Sequence, residues 1–407
     1  MSESNPFRPG AGVSPPVLAG RDDVLAEFDA LVTAVGGSGE GTRPWVVTGT
    51  RGVGKTVLLL EFAQRALDAG WEVASIEAGP PEHVARALVR ELYVPMHRAW
   101  ARYSSGRESA KRTAGKNALA RAIGVFSSFR MNWDTKGVVS FGIEVKPDAS
   151  EVHLSGDLGS DLYELLRALG EWLQAEGRAG LITIDEMDAA SPEDLAGINK
   201  ALHRLGQDDL PVPLHLVGAG QPHLLSVLAK ANPYAERLYR PFEIGPLTPE
   251  AAREALTAPA RHLGVAWGKG ALEEVLAATW SVPYFLQATG RYAWELKRAR
   301  TISREDARSA VALAFDEAQG IYRARWDGLT EAQRALVEAL AAAGGEASMR
   351  ELAEFLGRTP AQLGRPRAEL VARGIAVAPS SGRLAFTLPG FAEFAARLTD
   401  EEGVSEE

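Results

Sequence analysis

Trp45-Val46-Val47-Thr48-Gly49-Thr50-Arg51-Gly52-Val53-Gly54-Lys55-Thr56 reads as three things in succession. The four residues Trp45 to Thr48 make a short strand, apolar enough to be buried. Gly49 to Lys55-Thr56 matches G-x-x-x-x-G-K-T in full. A helix then runs from Lys55 to Ala69 and ends at Gly70. The glycines let the backbone curl so that successive N–H groups point inward at an anion, and the positive end of the helix faces the same point. A chance glycine turn requires neither a buried strand before it nor a helix after it.

Around this stretch the chain repeats strand, loop and helix. A lead rich in Pro, Gly and Ser covers residues 1 to 19. A helix follows from about Asp22 to Val35, and a glycine-rich connection covers Gly36 to Gly41. Trp71 to Ile76 alternates as a second strand, and Leu181 to Ile184 is an unbroken apolar run. Leu214 to Val217 is similar, and Pro241 to Ile244 is a weaker fifth candidate. Unbroken apolar strands separated by helices, such as the one capped at Ser191-Pro192-Glu193-Asp194, imply a parallel α/β sheet covered on both faces. The boundaries expected are an N-terminal lead over 1–41 and a P-loop core over 42–246 that carries an insertion at about 82–174. An all-helical region covers 247–327, a winged helix-turn-helix 328–398, and an acidic tail without structure 399–407. Within the insertion, Val138 to Leu154 alternates like a hairpin. The basic residues Arg98, Arg102, Arg107, Lys111, Arg112, Lys116, Arg121, Arg130 and Lys136 outnumber the acidic ones there; they suit either a phosphate backbone or a solvated helix face.

Composition narrows the chemistry. The chain has 407 residues, 46% of them hydrophobic and 24% charged, so it is expected to be soluble, with two or three domains. It has no cysteine, which removes disulfides, thiolate metal sites and a cysteine nucleophile. The histidines are scattered without metal-ligand spacing. A net charge of -9 argues against a generic nucleic-acid coat protein. The start Met1-Ser2-Glu3-Ser4-Asn5-Pro6 lacks a basic and apolar leader, and no run of about 18 apolar residues occurs, so a cytoplasmic protein without a membrane span is expected.

The phosphate-binding reading assigns roles to residues. Gly49, Thr50, Arg51, Gly52, Val53, Gly54 and Val57 form or flank the cradle. Lys55 reaches the β and γ phosphates and stabilises charge in catalysis, and Thr56 offers its hydroxyl to Mg²⁺. At the end of the third strand Asp185 would hold Mg²⁺ through water, and Glu186 would orient and polarise an attacking water. Asp188 reads as surface or helix-cap chemistry.

These residues resemble the AAA+ ATPases, in particular the origin-recognition-like group that borders on the signal-transduction ATPases. The resemblance implies ATP and Mg²⁺ as cofactors, a helical lid after the core, and hydrolysis of the β–γ bond in a nucleotide-dependent switch. Pro15-Pro16-Val17-Leu18-Ala19-Gly20-Arg21 looks like the family's segment before the P-loop. By that match Val17 and Leu18 contact the adenine, and Gly20-Arg21 sets the turn. At the end of the fourth strand, where the family often has a polar sensor, Gln221 is the polar candidate. Arg237, just before the fifth strand, has the location of a finger reaching into a neighbouring subunit; a solvated or salt-bridged arginine is the alternative. Ser281-Val282-Pro283 resembles the lid's Gly-x-Pro motif with serine replacing glycine. That match puts Pro283 near the nucleotide and makes Arg291 a candidate second sensor. The winged helix offers Arg365, Arg367, Arg373 and Arg383 for DNA contact, although such domains also bind proteins or dock on their own lid. An alternative reading is a non-catalytic regulator that holds ATP or ADP and works through protein contacts.

Overall fold

The structure, a computed structural model, describes residues 4–38, 41–80, 83–104, 110–133, 155–208 and 211–404. The chain divides into two compact units. One comprises 23–48 and 55–243; the other comprises 1–22, 49–54 and 244–407.

The first unit is an α/β layer structure. Its elements are α1 (Asp22–Ser38), β1 (Trp45–Thr48), α2 (Lys55–Asp68), β2 (Glu72–Glu77), α3 (Val84–Ser104), α4 (Ala110–Trp133) and α5 (Leu158–Glu176). Then come β3 (Gly180–Asp185), a 3-10 turn (Met187–Ala189), α6 (Pro192–Leu205), β4 (Leu214–Gly220), α7 (Leu224–Ala231), α8 (Ala235–Leu238) and β5 (Arg240–Glu243). The strands form one parallel sheet in the order β2-β3-β4-β1-β5. β1 is wholly buried, and β3 and β4 nearly so, whereas the edge strands β2 and β5 are partly exposed. That division follows the apolar content of the strands, since a parallel strand inside a doubly covered sheet has no solvent face. Pro241 is accommodated in β5 because an edge strand needs N–H donors on one side only. Phe28 of α1 stacks on Phe62 of α2 at 4.3 Å, and both meet the edge of Trp45.

The insertion is helical where it is described. Leu88, Leu92 and Met96 of α3, together with Leu119, Ile123 and Phe126 of α4, are buried in the same core as Leu165, Leu169 and Trp172 of α5. α3 continues through Pro95. The hairpin expected over Val138 to Leu154 lies outside the described residues. α6 starts as the sequence implied: Ser191 is the N-cap, its side chain accepts the Asp194 N–H, and Pro192 is the first helical residue.

The second unit carries the lid and the winged helix. Its elements are α9 (Pro249–His262), β6 (Ala266–Trp267), α10 (Ala271–Thr279), α11 (Pro283–Leu296), β7 (Thr301–Ile302), α12 (Arg304–Glu317) and α13 (Gln319–Asp327). They continue as α14 (Glu331–Ala342), β8 (Glu346–Ser348), α15 (Met349–Phe355), α16 (Gly364–Ala372), β9 (Ala376–Val377), β10 (Arg383–Phe386) and α17 (Phe391–Val404). The lid is not purely helical: β6 and β7 pair in parallel, two residues each. The winged-helix sheet has three strands, β8-β10-β9, of which β9 and β10 form an antiparallel hairpin. α17 carries regular structure through Val404, into the tail expected to lack it. Capping boxes at Ser303 and Thr330 fix the starts of α12 and α14.

Residues 4–22 have no regular secondary structure up to α1, yet they pack on α11. Phe7 is buried where Gly290 leaves room for its ring, since a Cβ at Gly290 would lie 2.6 Å from it. Asn5 Nδ2 donates to the Arg291 carbonyl at 3.0 Å, and the Arg8 N–H donates to Gln287 Oε1 at 3.2 Å.

Candidate functional site

The parallel register decides which loop ends meet. Thr48, the last residue of β1, is opposite Gly220, the last of β4, and Ile184 of β3 is opposite Gly218. The loop after β1 and the acidic turn after β3 therefore leave the sheet at the same edge, as ligand-binding loops of open α/β sheets do. Gly52 and Gly54 have φ of 82° and 97°, in the left-handed region that glycine tolerates without strain. Lys55, at the start of α2, is buried. Thr56 Oγ1 donates to Asp185 Oδ2 at 2.6 Å. The hydroxyl of one loop and the carboxylate of the other thus stand together, although 129 residues separate them. Along the loop sequence Thr50, Gly54 and Val57 are half-buried, Val53 is buried, and Arg51 is exposed.

Glu186 follows in an unusual conformation. Its φ is 47° and ψ 37°, left-handed for a residue with a side chain. This geometry costs about 1–2 kcal/mol. Part of it is offset by the bond from the Glu186 N–H to Asp185 Oδ1 at 2.8 Å. Asp185 thus holds the Glu186 N–H with one carboxylate oxygen and Thr56 with the other.

Two further residues complete this edge. Gln221 is 3% exposed, and among the described residues neither Oε1 nor Nε2 has a hydrogen-bond partner. A buried amide left unpaired costs about 1–3 kcal/mol for each group, which a polar ligand would recover. Asp188 is not a surface residue. Its side chain is 10% exposed, and Oδ1 accepts the Gln221 N–H at 2.9 Å. Spacing alone could not find this bond, because it joins the turns after two different strands.

Within the second unit the loop residues meet the N-terminal segment and α11. Arg21 Nη2 donates to the carbonyls of Val53 (3.0 Å) and Gly245 (2.7 Å), and Nη1 donates to its own neighbour Gly20 (3.1 Å). Burial holds this guanidinium below its ordinary pKa. Its contacts are to loop backbone, so it shapes the cradle. Gly49 packs so tightly on the Ile244 carbonyl that any Cβ would collide with it. The Tyr284 N–H donates to the Gly52 carbonyl at 3.1 Å, joining the start of α11 to the loop. Pro283 is the first residue of α11 and is half-buried, as are Val17 and Leu18, with Val17 against the lid core. Ser281, where the related motif has glycine, takes φ of 56°, and Trp280 takes 48°. The position demands a left-handed backbone, which is the physical reason for glycine there.

The remaining arginines are placed as follows. Arg237 is exposed on α8, and its guanidinium has no hydrogen-bond or ion-pair partner among the described residues. Arg291 pairs with Glu317 and lies 3.9 Å from Glu295. In the winged helix Arg365 pairs with Glu369 at 2.9 Å and Arg383 with Glu346 at 2.8 Å. Arg373 donates to the Gly328 carbonyl, and the Nε of Arg367 is buried without a partner. Residues 328–398 contain eight Arg or Lys and seven Asp or Glu, a net of about one positive charge. On the insertion helices Arg98 and Arg121 are exposed, and Lys116 lies 5.9 Å from the centre of the Trp100 ring. Arg107 and Lys136, and the side chains of Lys111, Arg112 and Arg130, lie outside the described residues. Among the described residues no group of three His, Asp or Glu side chains could hold a metal ion, and no helix is long and apolar enough to cross a membrane.

With this geometry in view, likeness to known proteins is informative. Residues 17–217 match the AAA ATPase domain family, and residues 319–395 match a domain family of unknown function. No curated protein sequence matches the chain. The Walker-type ATPase of Pyrococcus abyssi has a similar fold (TM-score 0.59), with 14% identity, over 91% of this chain and 94% of that one. The ORC2 protein of Aeropyrum pernix, in its ADP form, is similar at TM-score 0.51 and 15% identity, over 97% of this chain and 98% of that one. The shared fold is a P-loop core followed by a helical lid and a winged helix, and over residues 17–217 the chain carries an AAA ATPase domain.

Proposed function

We propose that this protein is a nucleotide-driven switch that hydrolyses the β–γ bond of Mg-ATP and passes the change of state through its lid to the winged helix. The observation that carries the reading is the 2.6 Å bond between Thr56 and Asp185 beside the buried Lys55. A hydroxyl, a single carboxylate and few other protein ligands suit Mg²⁺, which keeps waters and takes phosphate oxygens for the rest of its shell. Bound Mg-ATP supplies the scissile bond and the cation's charge. The amides of Gly49 to Thr56 orient the phosphates, and Lys55 stabilises the charge that builds as the bond breaks. Glu186 accepts a proton from the attacking water, held in place by its strained turn. The orphaned amide of Gln221 suits a contact with the terminal phosphate. Val17, Leu18 and Pro283 suit the base, and Arg21 holds the loop in shape for it.

Coupling has a physical route inside one unit. Gly52 bonds to the start of α11, whose Val282 and Phe285 belong to the winged-helix core. Phe285 faces Tyr322 at 6.4 Å, and Tyr322 meets Phe391 of α17 at 5.8 Å. A loop that shifts with the nucleotide moves this aromatic chain. The near-neutral winged helix, with Arg365 and Arg383 already paired, favours a protein partner over DNA. The exposed, unpaired Arg237 suits contact with a second copy or another partner.

The test measures Mg-ATP affinity and phosphate release. Lys55→Ala is expected to lose measurable affinity, and Glu186→Gln to retain binding while losing at least about tenfold in turnover. Equal phosphate release by wild type and Glu186→Gln would instead support the non-catalytic regulator, which the engagement of Arg291 with Glu317 favours.

A further inference from the structure

Asp188 lies in the 3-10 turn Met187–Ala189, three residues beyond Asp185, and the chemistry above does not use it. Its Oδ1 accepts the Gln221 N–H at 2.9 Å, and its Oδ2 is 3.9 Å from His223 Nε2. The bond crosses 33 residues of sequence and ties the turn after β3 to the turn after β4. The packing around the tie leaves no slack. A Cβ on Gly220 would collide with Asp188 Oδ1, and one on Gly218 would collide with the Sδ of Met187. Each strand end is thus shaped to receive the turn beside it.

What the tie holds is the backbone nitrogen of Gln221, the atom bonded to the carbon from which the side chain springs. Pinning that nitrogen anchors the backbone from which the buried amide projects. The amide itself is buried and has no hydrogen-bond partner among the described residues.

We propose that Asp188 is a positioning residue: it sets where the Gln221 amide stands, and so how strongly the protein distinguishes a nucleoside triphosphate from a diphosphate. This rests on the reading that Gln221 meets the terminal phosphate. Asp188 touches no phosphate. It acts on a group whose partner, the terminal phosphate, is present in ATP and missing in ADP.

The test compares affinities of the full chain for ADP and for a non-hydrolysable ATP analogue, both with Mg²⁺, by calorimetry. The readout is the ratio of the two dissociation constants. Gln221→Ala is expected to lower the preference for the analogue about tenfold, the worth of one hydrogen bond to a charged group. Asp188→Ala is expected to lower it by a similar factor while leaving ADP affinity unchanged. Asp188→Asn keeps an oxygen that accepts the same N–H and is expected to retain the wild-type ratio. Gly220→Ala displaces the carboxylate from the opposite strand and should reproduce the Asp188→Ala result, so the test survives if Asp188→Ala does not fold. A loss of preference in Gln221→Ala with none in Asp188→Ala overturns the positioning role, and so does an equal loss of both affinities in Asp188→Ala. An unchanged ratio in Gln221→Ala overturns the reading of Gln221 itself, and the proposal with it.

Discussion

His215 is the second residue of β4, 1% exposed, and its burial gives a sharp prediction about pH. Its Nδ1 shares a 2.7 Å hydrogen bond with Thr42 Oγ1, its Nε2 is buried without a partner, and the ring meets Trp45 edge-on at 5.3 Å. No carboxylate compensates a positive charge there, so burial holds the imidazole down to about 3 from an ordinary 6.5. The unfolded chain then binds a proton that the fold refuses. Stability is fully present above 6.5 and is lost as pH falls from 6.5 toward 3. Between about pH 7.5 and about pH 5 the loss is about 2 kcal/mol, from 1.36 kcal/mol per unit over roughly one and a half units. That figure is insensitive to the folded value as long as it lies below about 4. The perturbation is His215→Leu, which cannot titrate and leaves the exposed Thr42 to bond water. Urea unfolding followed by circular dichroism at both pH values measures the two stabilities. Wild type should lose about 2 kcal/mol more than His215→Leu over this interval. Equal losses in the two proteins would refute the argument that burial keeps this ring neutral.

Two further outcomes follow from local geometry. Ser281→Gly should stabilise the protein by about 0.5–1 kcal/mol, the relief of left-handed strain less the extra freedom of glycine in the unfolded chain; a rise in the melting midpoint of about 2 °C checks it. Arg21→Met removes the bonds to the Val53 and Gly245 carbonyls. It should weaken ATP and ADP by a similar factor of about ten, unlike the selective effect expected at Asp188, because a collapsed loop serves both nucleotides badly.

Some of this molecule was legible in the linear chain. The strand Trp45–Thr48, the loop and α2 were readable because burial, left-handed turns and helix starts are imposed by residues next to one another. The same holds for the cap at Ser191 and for the acidic end of β3, where Leu181, Ile182 and Ile184 announce a covered strand. Local signals also misled. Two-residue strands such as β6 and β7 are too short to show a period, so the lid read as all-helical. Tail residues Asp400 to Val404 are polar enough to look unstructured, yet α17 carries them forward from Phe391.

The sequence by itself determined the phosphate loop, the sheet's buried strands and the residue types available for chemistry. Only the tertiary structure decided what those residues touch. Arg21 reaches carbonyls 32 and 224 positions away, Thr56 finds Asp185, and Asp188 finds the backbone of Gln221. Periodicity and propensity describe how neighbours along the chain share a helix or a strand. The order in which parallel strands line up at a sheet edge is a packing outcome, set by the burial of whole faces, and no local pattern encodes it.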